Sequence, residues 1–285
     1  MNELKEIPLN QVADFPNHPY RVNDDEIMAE LVDSIKKYGL LQPVLVRPLL
    51  NSDKYEMISG HRRKRAFEIA GIEKIPCKIM NISKDEATVL MVDSNIVREK
   101  FLPSEKGKAY RMRMEAVKRQ GKRTDLTFSP TAKKLNTVKE FSESIGESKD
   151  SIYRYIRLTY LTDELLDLVD EGRIKMRPAV EISYMTEEEQ RYLLDAIQQT
   201  DATPSHSQAI RMRKLSENGA LTLQNISDIM QELKPNQKEK PPFNDSRITQ
   251  RIPKFVPPEK QLDFVLRAID YYARALKRNR GRGAR

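Results

Sequence analysis

A run of basic residues at a strand-to-helix turn is the part of this chain best suited to chemistry. Residues 59–66 read Ser-Gly-His-Arg-Arg-Lys-Arg-Ala and lie between a predicted strand at 55–58 and a predicted helix at 62–70. A helix N-terminus offers free N–H groups and a partial positive charge, so it attracts anions. The guanidinium groups of Arg62, Arg63 and Arg65 match phosphate oxygens. The segment therefore predicts a polyphosphate site, with a solvated basic helix start as the alternative.

Those arginines also carry an electrostatic cost. A cation at a helix N-terminus is unfavourable by about 0.3–1 kcal/mol, so we expect an anion to compensate the three charges.

The surrounding elements predict a mixed α/β N-terminal region. Asn23 or Asp24 is expected to cap a helix that ends at Gly39, and apolar residues recur in it every four positions. Short β-rich runs occur at 43–47, 55–58 and 75–80, with helices at 62–70 and 84–96. We expect these elements to hold the basic turn.

Composition excludes several classes of protein. The 285 residues, enough for about two domains, are 32% charged and 39% hydrophobic. No apolar run approaches the roughly 18 residues of a membrane helix, so no membrane partner is expected. The single Cys77 indicates a reducing cytoplasm, and its apolar neighbours favour a packed thiol over a nucleophile. No zinc cluster, serine-type triad, nuclease-type acidic cluster or phosphate-binding Gly-x-x-x-x-Gly-Lys-Ser/Thr motif is found.

The net charge of +8 is concentrated in two segments. Residues 106–134 contain ten Lys or Arg against Glu115 and Asp125, and the last fifteen residues contain six basic residues and no acid. Such segments indicate phosphate contacts, although a charge run alone is usually a solvated face.

Beyond residue 99 the pattern is helical. Ser104 is expected to cap a helix that reaches about residue 120, and a polar loop is expected at 120–136. Six prolines between 234 and 258 indicate a linker. The predicted organisation is an N-terminal domain at 1–99, a helical domain at 100–200, a helical extension at 201–233, the linker at 234–258, and a C-terminal amphipathic helix with a basic tail at 259–285. The fold class is α+β.

Residues 138–157 have the spacing of a helix-turn-helix. Phe141 and Ile145 would face the core from the first helix, Gly146 would form the turn, and Ile152 and Ile156 would anchor the second helix. An ordinary helical hairpin has the same pattern, but the nearby basic segment favours DNA binding. The residues left to face a groove or the phosphates are Ser148, Lys149, Ser151, Tyr153, Arg154 and Arg157.

Several motifs in one order resemble the ParB family of DNA-partition proteins over about residues 5–200. They are Ile7-Pro8-Leu9, Leu31-Val32-Asp33-Ser34-Ile35, Gly39-Leu40-Leu41-Gln42-Pro43-Val44, the 59–66 segment, Asp93-Ser94-Asn95-Ile96-Val97-Arg98-Glu99 and the helix-turn-helix. The resemblance implies a CTP- and Mg²⁺-binding N-terminal domain and a helix-turn-helix that binds a palindromic centromere-like DNA site. It also implies a homodimer that closes on DNA as a CTP-gated sliding clamp, serves a ParA-type ATPase, and associates with the bacterial nucleoid in the cytoplasm.

The resemblance also assigns residues. Gly60, Arg62 and Arg63 would hold the triphosphate, and Asn95 would assist both phosphate and Mg²⁺ binding. Gln42 would position water as the catalytic residue, with a loop hydrogen bond as its alternative role. Arg98 would pair with phosphate or a nearby acid.

Three positions depart from the family pattern. Ser94 replaces the glutamate linked to hydrolysis, Val97 replaces a glutamine, and His61 replaces a glutamate. The resemblance therefore implies CTP binding with slow turnover, in which Gln42 or Asp93 supplies what activity remains. The alternative function is a ParB-like transcriptional regulator or nucleoid-occlusion factor without a ParA partner.

Overall fold

Residues 3–95 form a mixed five-stranded sheet with three helices. The computed structural model describes residues 3–95, 101–124, 138–232 and 246–282. The sheet has the order β1-β5-β3-β4-β2, with antiparallel pairs β1/β5 and β3/β4 and parallel pairs β3/β5 and β2/β4. The strands are β1 (Glu3–Pro8), β2 (Val12–Ala13), β3 (Val44–Pro48), β4 (Tyr55–Ser59) and β5 (Lys74–Ile79).

Strands β3, β4 and β5 confirm the three predicted β-rich runs, whereas β1 and β2 were not predicted. The reason is their place at the two edges of the sheet. In β1 only Ile7 is buried, and its other positions are mostly charged, as is common for exposed edge strands. Strand β2 has only two residues, too few for an alternating pattern.

Three helices accompany the sheet: α1 (Glu26–Tyr38), α2 (His61–Ala70) and α3 (Lys84–Asn95). Helix α1 is capped by Asp25, whose Oδ1 accepts a 2.8 Å hydrogen bond from the Met28 N–H. The predicted cap at Asn23 or Asp24 is therefore wrong by one or two residues. Helices α1 and α2 bury Met28, Val32 and Phe67 in one cluster with the sheet.

The helical region confirms the all-helical prediction for the described residues after 100. Helix α4 begins at Pro103, so Ser104 lies inside its first turn and is not its cap; its N–H and hydroxyl donate to Asp170. One buried cluster extends from Leu158 to Met230. The helices are α4 (Pro103–Thr124), α5 (Val138–Ile145), α6 (Lys149–Leu158), α7 (Asp163–Asp170), α8 (Met176–Ile182), α9 (Glu187–Thr200), α10 (His206–Glu217) and α11 (Leu223–Gln231).

A third buried cluster connects the sheet domain to the helical region. It contains Ile58 of β4, Met91 of α3, Tyr110 of α4, Phe141 of α5 and Ile152 of α6. Helices α4 and α6 approach closely at Gly107, where a Cβ atom would lie 2.5 Å from the Tyr155 carbonyl oxygen. The helix-turn-helix is thus packed directly against α4.

Residues 231–285 form a second compact unit. It contains α12 (Ser246–Thr249) and α13 (Gln261–Arg282). Leu262, Leu266, Ile269 and Tyr272 of α13 are all at least 45% exposed. An open groove of about 680 Å³ lies between α12 and α13 and is mostly apolar. None of the helices described has the length and apolar character needed to cross a membrane. The five-part division of the chain stays a prediction.

Candidate nucleotide site and nucleic-acid interface

Gly60 forms the turn from β4 into α2 and has two structural constraints. Its φ is +114°, a conformation that side chains rarely adopt. A Cβ atom at this position would also lie 2.6 Å from Val44 Cγ1 on the neighbouring β3. Glycine therefore allows α2 to start tight against the sheet, where the helix N–H groups of residues 61–63 begin.

The three arginines predicted to bind phosphate all have partners within the protein. Arg62 contacts Asp25 at 2.8 and 3.4 Å, and Arg65 contacts Asp24 at 2.7 and 3.1 Å. Arg63 Nη1 donates to the carbonyl oxygen atoms of residues 42 and 43 at 2.6 and 3.2 Å. Carboxylates therefore compensate the charges of Arg62 and Arg65, whereas Arg63 meets only backbone carbonyl groups.

Two more residues at the start of α2, Lys64 and His61, make contacts that the sequence did not predict. Lys64 is buried and its Nζ lies 2.7 Å from Asp14 Oδ1. The His61 ring stacks on His18, with centroids 3.6 Å apart. These partners come from the segment before α1, and no local sequence pattern links that segment to α2.

Gln42 is exposed in the loop before β3, and its backbone carbonyl is the one that Arg63 holds. The structure thus brings Gln42 and Arg63 together. The assignment of Gln42 as the catalytic residue stays a prediction.

The end of α3 carries the second predicted part of the site. Asn95 is buried and its Nδ2 donates to the Met91 carbonyl at 2.7 Å; the exposed Ser94 hydroxyl donates to the same oxygen at 3.0 Å. Met91 packs in one cluster with Ile58 of β4, the strand that leads to Gly60. Helix α3 therefore lies against the strand that carries the basic turn. Val97 and Arg98 lie outside the described residues.

Asp93 is bound by Arg113, which belongs to the basic segment at 106–134 that was predicted to contact phosphates. The Asp93 carboxylate accepts hydrogen bonds of 2.7 and 3.3 Å from Arg113 on α4. Arg113 is only 2% exposed, and its guanidinium carbon lies 3.9 Å from the Phe141 ring centroid. Arg113 is thus a buried structural residue, and Asp93 is engaged with it.

Other basic residues of α4 are also used internally. Lys106 pairs with Glu147 at 2.7 Å, Arg111 with Glu115 at 3.0 Å, and Arg119 with the buried Asp85 at 2.8 Å. In the described part of this segment, therefore, much of the positive charge stabilises contacts within the protein.

The structure places α5 and α6 as two helices joined by a tight turn. Gly146 has a φ of +68°, and Ser148 caps α6 by accepting the Ser151 N–H at 3.1 Å. Phe141 and Ile152 are fully buried, as predicted. Lys149, Tyr153 and Arg154 are exposed on α6. These three side chains remain available to a partner.

Ser151 and Arg157 make internal contacts. The Ser151 hydroxyl donates to Glu147 at 3.1 Å. Arg157 donates to Ser183 Oγ at 3.0 Å and to the Ser183 carbonyl at 2.6 Å, and it stacks on the Tyr184 ring at 3.8 Å. Arg157 thus connects α6 to the end of α8. All six predicted DNA contacts stay predictions.

Among the described residues no group of three or more His, Cys, Asp or Glu side chains is placed to hold a metal ion. A magnesium site here would have to take ligands from the nucleotide itself and from an amide such as Asn95, since Mg²⁺ binds substrate phosphates and retains several waters.

Comparison with known protein families decides the classification. Residues 1–96 match the model of the ParB N-terminal domain, and residues 131–208 match the model of the ParB HTH domain. The chain belongs to the ParB family. The two matched ParB regions contain both candidate sites, with the basic turn in the first and α5 and α6 in the second.

Several curated relatives align with about 70% of this chain. The chain is 28% identical to the chromosome-partitioning protein Spo0J of Thermus thermophilus over 73% of this chain and 70% of that protein. It is 26% identical to a probable chromosome 1-partitioning protein ParB of Deinococcus radiodurans, over 74% of this chain and 67% of that protein. It is 30% identical to the nucleoid occlusion protein of Listeria innocua over 70% of this chain and 64% of that protein.

Two solved structures of C-terminally truncated Caulobacter crescentus ParB also align with the chain. The complex with CTP-gamma-S aligns at 24% identity and a TM-score of 0.32, covering 65% of this chain and 94% of that one. The complex with the centromeric parS site aligns at 20% identity and a TM-score of 0.42, covering 80% of this chain and all of that one. Both TM-scores are below 0.5, so family membership depends on the sequence matches.

Proposed function

We propose that this ParB-family chain is a partition protein that works as a CTP-gated dimeric clamp on a palindromic, centromere-like DNA site. The observation that carries the proposal is the presence in one chain of both family domains, with an arginine-rich helix start in the first and an exposed α6 face in the second. The replicon served is a plasmid, mobile element or chromosome, and the partner that moves it is a ParA-type ATPase. The protein acts on the nucleoid in the bacterial cytoplasm.

The nucleotide would be held at the basic turn. The N-terminus of α2 presents N–H groups, and Arg62 and Arg63 offer guanidinium donors that make charge-assisted bonds to phosphate. Asn95 would supply an amide oxygen to Mg²⁺, which binds oxygen ligands. The bound metal would neutralise phosphate charge; positioning the phosphates falls to Gly60, Arg62 and Arg63.

DNA would be bound through the exposed face of α6. Lys149, Tyr153 and Arg154 are exposed members of the predicted set and would enter a major groove, and a two-fold dimer would read an inverted repeat. Ser148 and Ser151 would contact the DNA backbone from the first turn of α6. Arg157 would contact it from the last turn of the same helix.

CTP turnover is expected to be slow. A water molecule in line with the γ-phosphate needs a group that positions it, commonly a carboxylate or amide. Ser94 has a short side chain that donates to its own helix, and Asp93 is engaged with Arg113. Gln42 is therefore the best remaining candidate, and clamps should be long-lived on DNA.

A second function is favoured by one comparison. The Listeria innocua nucleoid occlusion protein is 30% identical to this chain over 70% of this chain's length. A nucleoid-occlusion or transcriptional regulator would use the same two sites without a ParA partner.

Calorimetry with CTP, ATP, GTP and UTP, each with Mg²⁺, tests the nucleotide site, and footprinting on the host replicon tests the DNA site. We expect binding of CTP alone and a discrete protected inverted repeat.

Arg154→Ala should weaken binding to that DNA site, whereas lysine changes in 118–134 should mainly reduce the salt dependence of DNA binding. Equal binding of all four nucleotides, or protection of no discrete site, would contradict the clamp proposal. Loss of segregation on deletion of a neighbouring ATPase gene separates partition from the second function.

A further inference from the structure

Two carboxylates occupy the arginines of the basic turn. Asp25 Oδ1 accepts the Met28 N–H and an Arg62 N–H, each at 2.8 Å, and Asp25 Oδ2 lies 3.4 Å from the second Arg62 nitrogen. Asp24 contacts Arg65 through both oxygen atoms, at 2.7 and 3.1 Å. The hydrogen bonds from Arg65 and Arg62 hold the pKa of Asp24 and of Asp25 below their usual values. Both are therefore ionised at neutral pH.

We infer that Asp25 competes with the phosphates of the bound nucleotide for the terminal N–H groups of Arg62. This inference rests on the proposed nucleotide site. A guanidinium has five N–H donors, and each parallel pair of them serves one oxyanion at a time. Asp25 faces the pair formed by the two terminal nitrogens of Arg62. A phosphate can use those donors only when the carboxylate gives them up.

The anchoring of Asp25 favours competition over positioning. Its Oδ1 also caps α1, so the carboxylate is placed by α1 and draws Arg62 towards that helix. The Arg62 and Asp25 side chains are 26% and 40% exposed, so water reaches the pair. Solvent-exposed pairs of this kind are weak, and a triphosphate carries more charge than one carboxylate. Exchange of one anion for the other is therefore feasible, and the carboxylate left behind repels the phosphates.

The test is calorimetry of CTP with Mg²⁺ on the full chain carrying Asp25→Asn. Asparagine caps helices as well as aspartate does, so α1 should be kept, and the thermal midpoint checks this. We expect CTP to bind about two- to five-fold more tightly, as expected for release of an exposed ion pair. The matched control is Asp33→Asn, which removes the same charge from α1 at an exposed position with no ion pair in the described part of the chain. Asp25→Ser, another good cap, provides a second variant.

The outcomes separate this inference from the proposed function. Tighter CTP binding in Asp25→Asn and Asp25→Ser, but not in Asp33→Asn, supports competition. If the wild type binds CTP and both Asp25 variants bind it equally or more weakly, Asp25 positions Arg62 or has no effect, and only the inference is overturned. If the wild type binds no CTP, both the inference and the proposed nucleotide site are overturned.

Discussion

At the scale of single residues, position 60 combines a backbone constraint with a packing constraint. The positive φ of Gly60 makes any side chain strained, and the contact with Val44 leaves no space for one. Gly71 at the other end of α2 has a φ of +72° but open space around it. A substitution at Gly71 therefore meets conformational strain alone, whereas one at Gly60 meets both strain and steric overlap.

Gly60→Ala should lower the free energy of unfolding by about 2–4 kcal/mol, because strain and overpacking add. Gly71→Ala, the matched control, should cost only about 1 kcal/mol of strain. Urea denaturation measures both. In a Val44→Ala background, where the overlapping methyl group is gone, Gly60→Ala should cost less stability than it does in the wild type. Equal costs at both glycines would show that the contact with Val44 has no energetic effect.

Arg63→Ala should abolish CTP binding and also release the loop at residues 42–43, because Arg63 donates to both carbonyl oxygens. A charge-assisted hydrogen bond contributes about 1.5–3 kcal/mol, so the loss should exceed tenfold. Calorimetry measures the affinity, with Arg191→Ala as a remote control on the surface. Unchanged CTP affinity in Arg63→Ala would remove Arg63 from the site.

Cys77 gives a pH dependence. Burial raises the pKa of its thiol to about 11 from 9.0. Above pH 9 the unfolded chain loses the thiol proton while the folded chain keeps it, so the stabilisation present below pH 9 is lost as the pH rises towards 11. The stability difference between wild type and Cys77→Ala should narrow by about 2 kcal/mol across this range. Denaturation at pH 8 and pH 11 measures the difference, and a constant value would contradict the assignment.

At the scale of elements, α3 and α4 are antiparallel neighbours joined by two ion pairs, Asp93–Arg113 and Asp85–Arg119. Arg113 is the deeper of the two arginines, and its Nη1 is buried without a hydrogen-bond partner among the described residues. Its charge therefore depends on Asp93 and on the Phe141 ring. These contacts connect the last helix of the sheet domain to α5.

Asp93→Ala should cost about 1–3 kcal/mol, because it leaves the Arg113 charge buried and unpaired. In an Arg113→Leu background, where no charge is buried, the same change should cost almost nothing. Urea denaturation of the four proteins in this double-mutant cycle measures the coupling. Additive effects would mean that the two side chains do not interact energetically.

The helices with strong periodicity, such as α1, could be predicted from the sequence, and so could the turn at Gly60 and the helix-turn-helix. The partners of the basic turn could not, because Asp14, Asp24 and Asp25 reach α2 only through the folding of the sheet. The burial of Arg113 was hidden for the same reason: arginine usually lies at a surface, and only the packing of α4 against α5 encloses it. The sequence identified chemical groups, and tertiary contacts determined which of them were already engaged.

At the scale of the whole molecule, every buried cluster described in the first unit lies between Ile7 and Met230. The apolar side chains of α13 are largely exposed within the second unit. An exposed apolar stripe of this kind is typical of an interface.

A chain ending at residue 230 should therefore unfold at nearly the same urea midpoint as residues 1–230 of the full protein. It should also lose dimerisation, since the stripe on α13 is removed. Light scattering measures the mass of the particle in solution. Leu266→Glu, a single substitution in the α13 stripe of the full chain, should also prevent dimerisation. A truncated chain that remained dimeric would show that the dimer contact lies in the first unit and not on α13.

The absence of a side chain at Gly107 allows α6 to pack close against α4. The contact with Tyr155 lies in the second half of α6, so a methyl group at position 107 would push that half of the helix away from α4. Lys149 and Arg154 lie on the N-terminal side of that contact, so a tilt of α6 would move both side chains away from the positions in which the proposed DNA site would meet them, while their chemistry would be unchanged. If α6 binds DNA as proposed, a larger residue at position 107 should weaken sequence-specific binding before it weakens binding to DNA in general.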